Sequence, residues 1–113
     1  MKDPVNRETS EAWYLYMLRC RDGSIYTGIT NDLFGRWRAH REGRGARYTR
    51  SFPPEEMLAA WHFPKRGLAA RAEALVKGLS ARRKRRLVAG SLADAPDITE
   101  EGRRIDAEDL PVE

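Results

Sequence analysis

The sequence predicts an α+β domain in which a small three-stranded antiparallel sheet is flanked by helices. Three patterns predict it: two apolar runs joined by an Asp-Gly turn, a third apolar run after a helical segment, and two further helical segments after that run. Because a hairpin and a separate strand need helices to cover their apolar face, we expect helices packed on the sheet. With 113 residues, the chain has the length of one domain.

The first predicted element is an antiparallel hairpin. Residues 13–18 are aromatic or aliphatic throughout, which is typical of a strand buried on both faces, and the β-branched and aromatic residues 25–30 form the returning strand. Asp22-Gly23 supplies the turn. Because the turn is short, we expect Tyr16 and Tyr26 to lie nearly opposite each other on one face.

A helix is predicted to follow the hairpin. Asn31 or Asp32 caps its start, and it ends near Arg41. The apolar stripe of this helix includes Trp37 and leaves Arg36 outside it.

The second half of the chain begins with a loop and then returns to regular structure. A glycine- and arginine-rich loop is expected over residues 43–54, followed by a third strand at 57–63. Residues 67–79 have the periodicity of an amphipathic helix. Ser80 caps a further short helix that carries the basic run 82–86.

Charge divides the chain into three predicted segments. Residues 1–11 are polar and aperiodic and are expected to form a loose arm, whereas residues 91–113 carry a net charge of −6 and are expected to form a mobile acidic tail. Residues 12–90 are the predicted folded domain. Residues 1–90 carry +10, which indicates a protein that binds a polyanion.

The composition excludes several classes of protein. No apolar run approaches the ~20 residues that span a bilayer, so no membrane partner is expected. The N-terminal residues lack the apolar region of a secretory signal. Cys20 is the only cysteine, which excludes an internal disulfide, and we expect a cytoplasmic protein without a disulfide-linked partner.

Five residues are candidates for binding or hydrolysing a phosphate ester. Two phenols, Tyr16 and Tyr26, share a hairpin, and Gly28 marks a place where a ligand or another backbone approaches closely. The planar guanidinium of Arg36 suits the oxygens of a phosphate, and Glu73 is a solitary carboxylate in a basic region, which suits a magnesium ion. These groups would suffice for metal-assisted hydrolysis of a phosphodiester.

Several short segments of the chain, taken in their order, resemble a known enzyme family. They are Tyr14-Leu15-Tyr16, Tyr26-Thr27-Gly28, Asn31-Asp32-Leu33 with Arg36 and His40 after it, Gly43–Thr49, and Glu73–Ser80. In this order they resemble the GIY-YIG nuclease superfamily, and in particular its short single-domain bacterial branch. The resemblance covers roughly residues 12–88.

The resemblance implies a GIY-YIG-like fold with the same three-stranded sheet, and a metal-dependent endonuclease that cleaves DNA, with roles in repair or recombination. It assigns Glu73 as the single ligand of Mg²⁺ or Mn²⁺. The implied catalytic residues are Tyr16, Tyr26, Arg36, His40 and Glu73. Nucleic-acid contacts are expected from nearby residues, namely Gly28, Arg44, Arg47, Tyr48, Arg50 and Lys77.

The residues leave several alternatives open. A catalytically silent or weak nucleic-acid-binding module would have the same basic surface, and a basic protein without a nucleic-acid partner would have the same charge. A structural adaptor would show no salt-dependent affinity for DNA. RNA is an alternative substrate to DNA, and the water-activating group is Tyr16, Tyr26 or His40. We expect a monomer.

Overall fold

A four-stranded antiparallel sheet lies at the centre of the computed structural model, which describes residues 12–90 and 101–112. The strands are arranged in the order β2-β1-β3-β4, so β2 forms one edge of the sheet. Their bounds are β1 Trp13–Cys20, β2 Ile25–Thr30, β3 Pro54–Phe63 and β4 Arg103–Arg104. The predicted α+β class with an antiparallel sheet and flanking helices is confirmed, but the predicted number of three strands is wrong.

Within residues 12–90 and 101–112, four helices and a short 3₁₀ turn accompany the sheet. Their bounds are α1 Leu33–Arg41, α2 Arg47–Ser51, α3 Arg66–Lys77, α4 Ala81–Val88 and the 3₁₀ turn Ala107–Asp109. The predicted hairpin, first helix, third strand and two later helices are all present, with ends displaced by a few residues. Within the described ranges, no helix is long and apolar enough to cross a membrane.

The hairpin places its two tyrosines on one face, but not directly opposite each other. Gly23 adopts a φ of +87° and closes the turn, as the Asp-Gly signal predicts. In the register of β1 and β2, Tyr16 pairs with Gly28, and Tyr26 pairs with Leu18. The two phenol rings are therefore diagonal neighbours, with ring centroids 6.3 Å apart.

Both faces of the sheet are buried, which explains why residues 13–18 of β1 are apolar or aromatic throughout. Leu15 and Met17 belong to the core cluster formed with α3 and α4. Tyr16 and Leu18 belong to a second cluster, which contains residues of α1 and is also contacted by Ile105 of the segment 101–112. Tyr16 thus shares a face with the helix that carries Arg36 and His40.

The fourth strand comes from the segment that was predicted to be a mobile tail. Arg103 and Arg104 pair with the outer edge of β3, and the backbone N–H of Ile105 donates to the carbonyl oxygen of Ala60 at 2.9 Å. Trp37 of α1 donates through Nε1 to a backbone carbonyl of the same segment at 3.3 Å. A two-residue strand among acidic residues is too short to show a period of two, so composition predicted a tail.

Parts of the predicted arm and tail lie outside the described residues. These are residues 1–11, residues 91–100 and residue 113. The boundary at residue 90 therefore stays a prediction, although residues 101–112 contact the sheet.

The predicted loop after α1 contains the short helix α2. This helix has five residues and no side-chain cap, because its N-cap position is Ala46. Without a cap or an apolar stripe it resembles a loop in sequence. Helix α2 contributes to the site because it brings Thr49 into the interior of the protein.

The start of α1 explains why a glycine stands inside this helix. The Asp32 carboxylate accepts a hydrogen bond from the Gly35 backbone N–H at 3.1 Å, which is a standard N-cap. A Cβ atom at Gly35 would overlap that carboxylate. The cap and the glycine therefore depend on each other.

We expect Asp32→Ala to lower the free energy of unfolding by about 1 kcal/mol, because the cap is lost. Gly35→Ala is expected to destabilise the wild-type chain but to stabilise the Asp32→Ala variant, where the overlap is gone and the helix propensity of alanine prevails. Urea denaturation of the four chains measures both effects, with Asn31→Ala as the exposed control. An effect of Gly35→Ala with the same sign in both backgrounds would contradict this account.

Candidate active site

Gly28 allows the two candidate tyrosines to come together. Tyr16 is 1% exposed, and a Cβ atom at Gly28 would lie 2.6 Å from the Tyr16 hydroxyl oxygen and 3.1 Å from the Tyr26 ring. Any larger residue at position 28 would push one of the phenols away. Gly28 is predicted to mark a place of close approach, and the groups that approach it in the structure are the side chains of Tyr16 and Tyr26.

A chain of buried hydrogen bonds begins at Tyr16. Its hydroxyl lies 2.7 Å from Nε2 of His40, and Nδ1 of His40 lies 2.7 Å from the Thr49 hydroxyl oxygen. The Thr49 hydroxyl donates its proton to the carbonyl oxygen of Ala46 at 2.9 Å. Because a hydroxyl has one proton, the Thr49 oxygen accepts from Nδ1–H of His40. Nε2 of His40 therefore accepts the proton of the Tyr16 hydroxyl.

Burial has the largest influence on the pKa of both His40 and Tyr16. It lowers the pKa of His40 from 6.5 to about 4, and the nearby positive charge of Arg36 acts in the same direction. Burial also raises the pKa of Tyr16 well above its ordinary value, against the opposing effect of a hydrogen bond from Arg36. At neutral pH, His40 is neutral and Tyr16 is a phenol, as the hydrogen-bond directions require.

Arg36 and Glu73 lie on helices that cover opposite faces of the sheet. Burial remains the largest influence on the pKa of Tyr16, while the Arg36 guanidinium on α1 lowers this pKa and the negative charge of Glu73 on α3 contributes to raising it. Because β2 is an edge strand and Gly28 has no side chain, groups from both faces can approach each other around this edge. The structure therefore brings the rings of Tyr16, Tyr26 and His40 together, and the charges of Arg36 and Glu73 both act on Tyr16.

The Glu73 carboxylate is half-buried and forms an ion pair with one neighbouring side chain. Its side chain is 22% exposed, and Nζ of Lys77, one helical turn later, lies 3.1 Å from the carboxylate. No group of three or more His, Cys, Asp or Glu residues that could hold a metal ion occurs in the described ranges. One carboxylate suits Mg²⁺ or Mn²⁺, which accept water and phosphate oxygens as further ligands, and does not suit a structural zinc ion. The donor set thus fits the implied metal.

An aromatic row extends outward from the buried rings. Tyr26 lies edge-on to His40 at 5.4 Å and stacks on Tyr48 at 6.1 Å, and Tyr48 contacts Phe52 at 5.1 Å between centroids. The Tyr48 hydroxyl is within hydrogen-bonding distance of Ser24 in the hairpin turn. Tyr48 and Phe52 are each 39% exposed, so the row ends at the surface.

The predicted nucleic-acid contacts divide into two groups. Gly28, Tyr48 and Lys77 lie beside the catalytic side chains. Arg44 turns to Glu42 at 2.6 Å instead, and Arg47 and Arg50 are exposed on α2. Thr49 is the residue that sequence reasoning missed, since a threonine inside a polar loop carries no signal that it contacts a buried histidine.

The chain is similar in sequence to a family model and to several relatives. A family model described as the GIY-YIG catalytic domain matches residues 12–86. A UPF0213 protein of Xanthomonas axonopodis pv. citri is 56% identical over 72 residues, which cover 64% of this chain and 71% of that protein. A UPF0213 protein of Halalkalibacterium halodurans is 48% identical over 75 residues, or 66% and 80% of the two chains.

One solved structure is also similar to this chain. It is the solution NMR structure of a UPF0213 protein from Bacillus halodurans, which is 43% identical and covers 79% of this chain and 93% of its own, with a TM-score of 0.47.

We expect Thr49→Val to destabilise the protein by about 1–3 kcal/mol, because it leaves Nδ1–H of His40 buried without an acceptor. Thr49→Ser keeps the hydroxyl and should recover most of this loss. Urea denaturation measures the stability, and the ¹⁵N chemical shifts of His40 report which ring nitrogen carries the proton. Equal stability of the valine variant and the wild-type chain would contradict the hydrogen-bond order given above.

The depressed pKa of His40 predicts that stability rises with pH. Between about pH 4 and pH 6.5 the unfolded chain binds a proton on His40 that the folded chain does not, so the free energy of unfolding should increase by roughly 3 kcal/mol across this window. Urea denaturation at a series of pH values tests this. The control is His40→Gln, which should remove this part of the pH dependence and leave that of the carboxylates.

Proposed function

We propose that this chain, which belongs to the GIY-YIG catalytic domain family, is a metal-dependent endonuclease that hydrolyses phosphodiester bonds of DNA. The observation that carries the proposal is the cluster of the Tyr16, Tyr26 and His40 rings beside the edge strand β2, where the charges of Arg36 and Glu73 both act on Tyr16. Together this guanidinium and this carboxylate match the charges of a phosphate and its metal ion.

Burial separates the residues that would touch a substrate from those that would position them. Tyr26, Arg36 and Glu73 are half-buried and keep part of their surface in solvent. Tyr16 and His40 are each 1% exposed and hydrogen-bonded to each other. We therefore assign the first three as catalytic residues and the latter two as positioning residues, which favours Tyr26 as the group that orients the attacking water.

The reaction exchanges one P–O bond for another. The oxygen of a water molecule bonds to phosphorus and that water releases a proton to solvent, while the bond from phosphorus to the leaving sugar oxygen breaks and the sugar oxygen takes up a proton from solvent. The Tyr26 hydroxyl would hold the water in line, and Arg36 would donate hydrogen bonds to the non-bridging oxygens as negative charge builds up on them. Arg36 lies on α1, which the buried hydrogen-bond chain fixes, and Tyr26 lies on β2, which pairs with β1.

Glu73 would hold the magnesium or manganese ion. When bound, such an ion polarises a phosphoryl oxygen and stabilises developing negative charge. Lys77 shares the Glu73 carboxylate, so its positive charge opposes a second cation at this place. The affinity for the metal is therefore expected to depend on the substrate phosphate as a further ligand.

The charge distribution supports a nucleic-acid substrate. Residues 1–90 carry +10, and arginine-rich surfaces occur on α2 and α4. Such a surface attracts a polyanion through release of its counterions. Structure-selective cleavage in repair or recombination, a cytoplasmic location and a monomeric state remain parts of the proposal.

A nicking assay on supercoiled plasmid and on branched DNA with Mg²⁺ tests the function. We expect Glu73→Gln and Arg36→Ala each to reduce the rate by at least about 10²-fold, because each removes a group that stabilises transition-state charge. The matched controls are Glu55→Gln on β3 and Arg38→Ala, which is exposed on the same helix as Arg36; both should retain activity.

Two outcomes would contradict the proposal. Cleavage that survives both substitutions would overturn the assigned roles. Salt-dependent binding without cleavage by the wild-type chain would identify a binding module instead of a nuclease.

A further inference from the structure

A small open pocket adjoins the candidate catalytic residues at the outer edge of β2. It is a cavity of about 220 Å³ whose walls are formed by Ile25, Tyr26, Thr27, Tyr48, Lys77 and Lys84. Two of these residues also belong to the catalytic surroundings: Tyr26 contacts His40, and Lys77 pairs with Glu73. The cavity is therefore continuous with the candidate active site.

The open edge of β2 supplies backbone donors to this cavity. The backbone N–H of Cys20 donates to the carbonyl oxygen of Ser24 at 2.9 Å, which fixes the phase of the β1–β2 hydrogen bonds. Hydrogen-bonded pairs alternate along an antiparallel ladder, so Tyr26 and Gly28 bond to β1. The N–H and C=O groups of Ile25 and Thr27 therefore point away from β1, toward the open side.

Two cations flank the same place. Lys77 lies at the end of α3, and Lys84 lies on α4. No carboxylate contributes to the walls of the cavity, and Lys84 has no ion-pair partner in residues 12–90 and 101–112. Because the Glu73 carboxylate offsets the charge of Lys77, the positive character of the cavity comes mainly from Lys84, and an anion suits it.

Thr27 is a second, independent sign of a polar ligand. It is 3% exposed, and its hydroxyl oxygen has no hydrogen-bond partner in the part of the chain that the structure describes. Buried hydroxyls without a partner are uncommon in folded proteins and call for an explanation. A polar group bound in the cavity beside Thr27 would provide one after a rotation of its side chain.

We propose that this cavity binds a phosphodiester group of the nucleic acid, next to the one that is cleaved. This inference rests on the proposed nuclease function and adds to it the position of a second phosphate. The cavity lies below the ~300 Å³ at which pockets for whole small molecules begin, so it suits one phosphate of a longer chain. Lys77, Lys84 and the outward N–H of Thr27 would be its donors. Because Tyr26 belongs to both sites, the two phosphates would be close neighbours.

The test uses the full chain and a fluorescein-labelled forked DNA duplex in EDTA, with affinity measured by anisotropy from about 50 to about 200 mM NaCl. Lys84→Gln is expected to reduce the slope of log affinity against log salt by about one, the effect of one lost phosphate contact. Lys84→Arg keeps the cation and should restore the slope. Lys65→Gln is the matched control, since Lys65 is exposed at the opposite end of α3 from Lys77.

A kinetic readout separates this role from catalysis. If the cavity holds a phosphate that does not react, Lys84→Gln raises KM in the nicking assay more than it lowers kcat. A loss confined to kcat would overturn the subsite.

The outcomes also distinguish the two proposals. A wild-type chain without salt-dependent affinity for the probe overturns the proposed function itself. Salt-dependent affinity of the wild-type chain with the same slope in Lys84→Gln overturns the second phosphate site alone.

Discussion

The hydrogen-bonded chain from Tyr16 through His40 to Thr49 is the constraint on which the site depends. It ties β1, α1 and α2 together through polar groups that have no access to water. Each of these groups would cost free energy if its partner were absent, so the three elements have one arrangement that satisfies all of them. Arg36 lies on α1, which this chain fixes directly, and Tyr26 lies on β2, which pairs with β1, so the chain helps to set the geometry of the solvent-facing half of the site.

The two faces of the sheet pack against different groups of residues. One face holds the apolar cluster with α3 and α4, and the other holds the tyrosine, the histidine and α1. The edge strand β2 is where the two meet, because a carboxylate from one face and a guanidinium from the other both act on Tyr16. An antiparallel sheet with an open edge is a simple way to bring groups from two separate helices to one phosphate. The segment 101–112 completes the opposite edge through its contacts with β3 and Trp37.

Local signals in the sequence were sufficient for most of the fold. The hairpin, α1, β3, α3 and α4 each have a turn, a cap or a period that the chain shows within a dozen residues. The strand at Arg103 and the helix around Thr49 have none of these, since each is too short for a period and exists through contacts distant in sequence. The candidate catalytic residues were found because their order resembles a family. Their division into buried and accessible groups was not predictable, because burial of Tyr16 and His40 depends on how α1 packs.

The glycine at position 45 stands against the His40 ring in the same manner as Gly28 stands against Tyr16. Neither position can gain a methyl group while the ring opposite keeps its size and place. Evolutionary change at these sites is therefore ordered: the aromatic partner has to change first, and the glycine becomes free to vary only afterwards. Such dependence makes each glycine and the ring that faces it an epistatic unit, and at Gly28 the Tyr26 ring adds a second constraint.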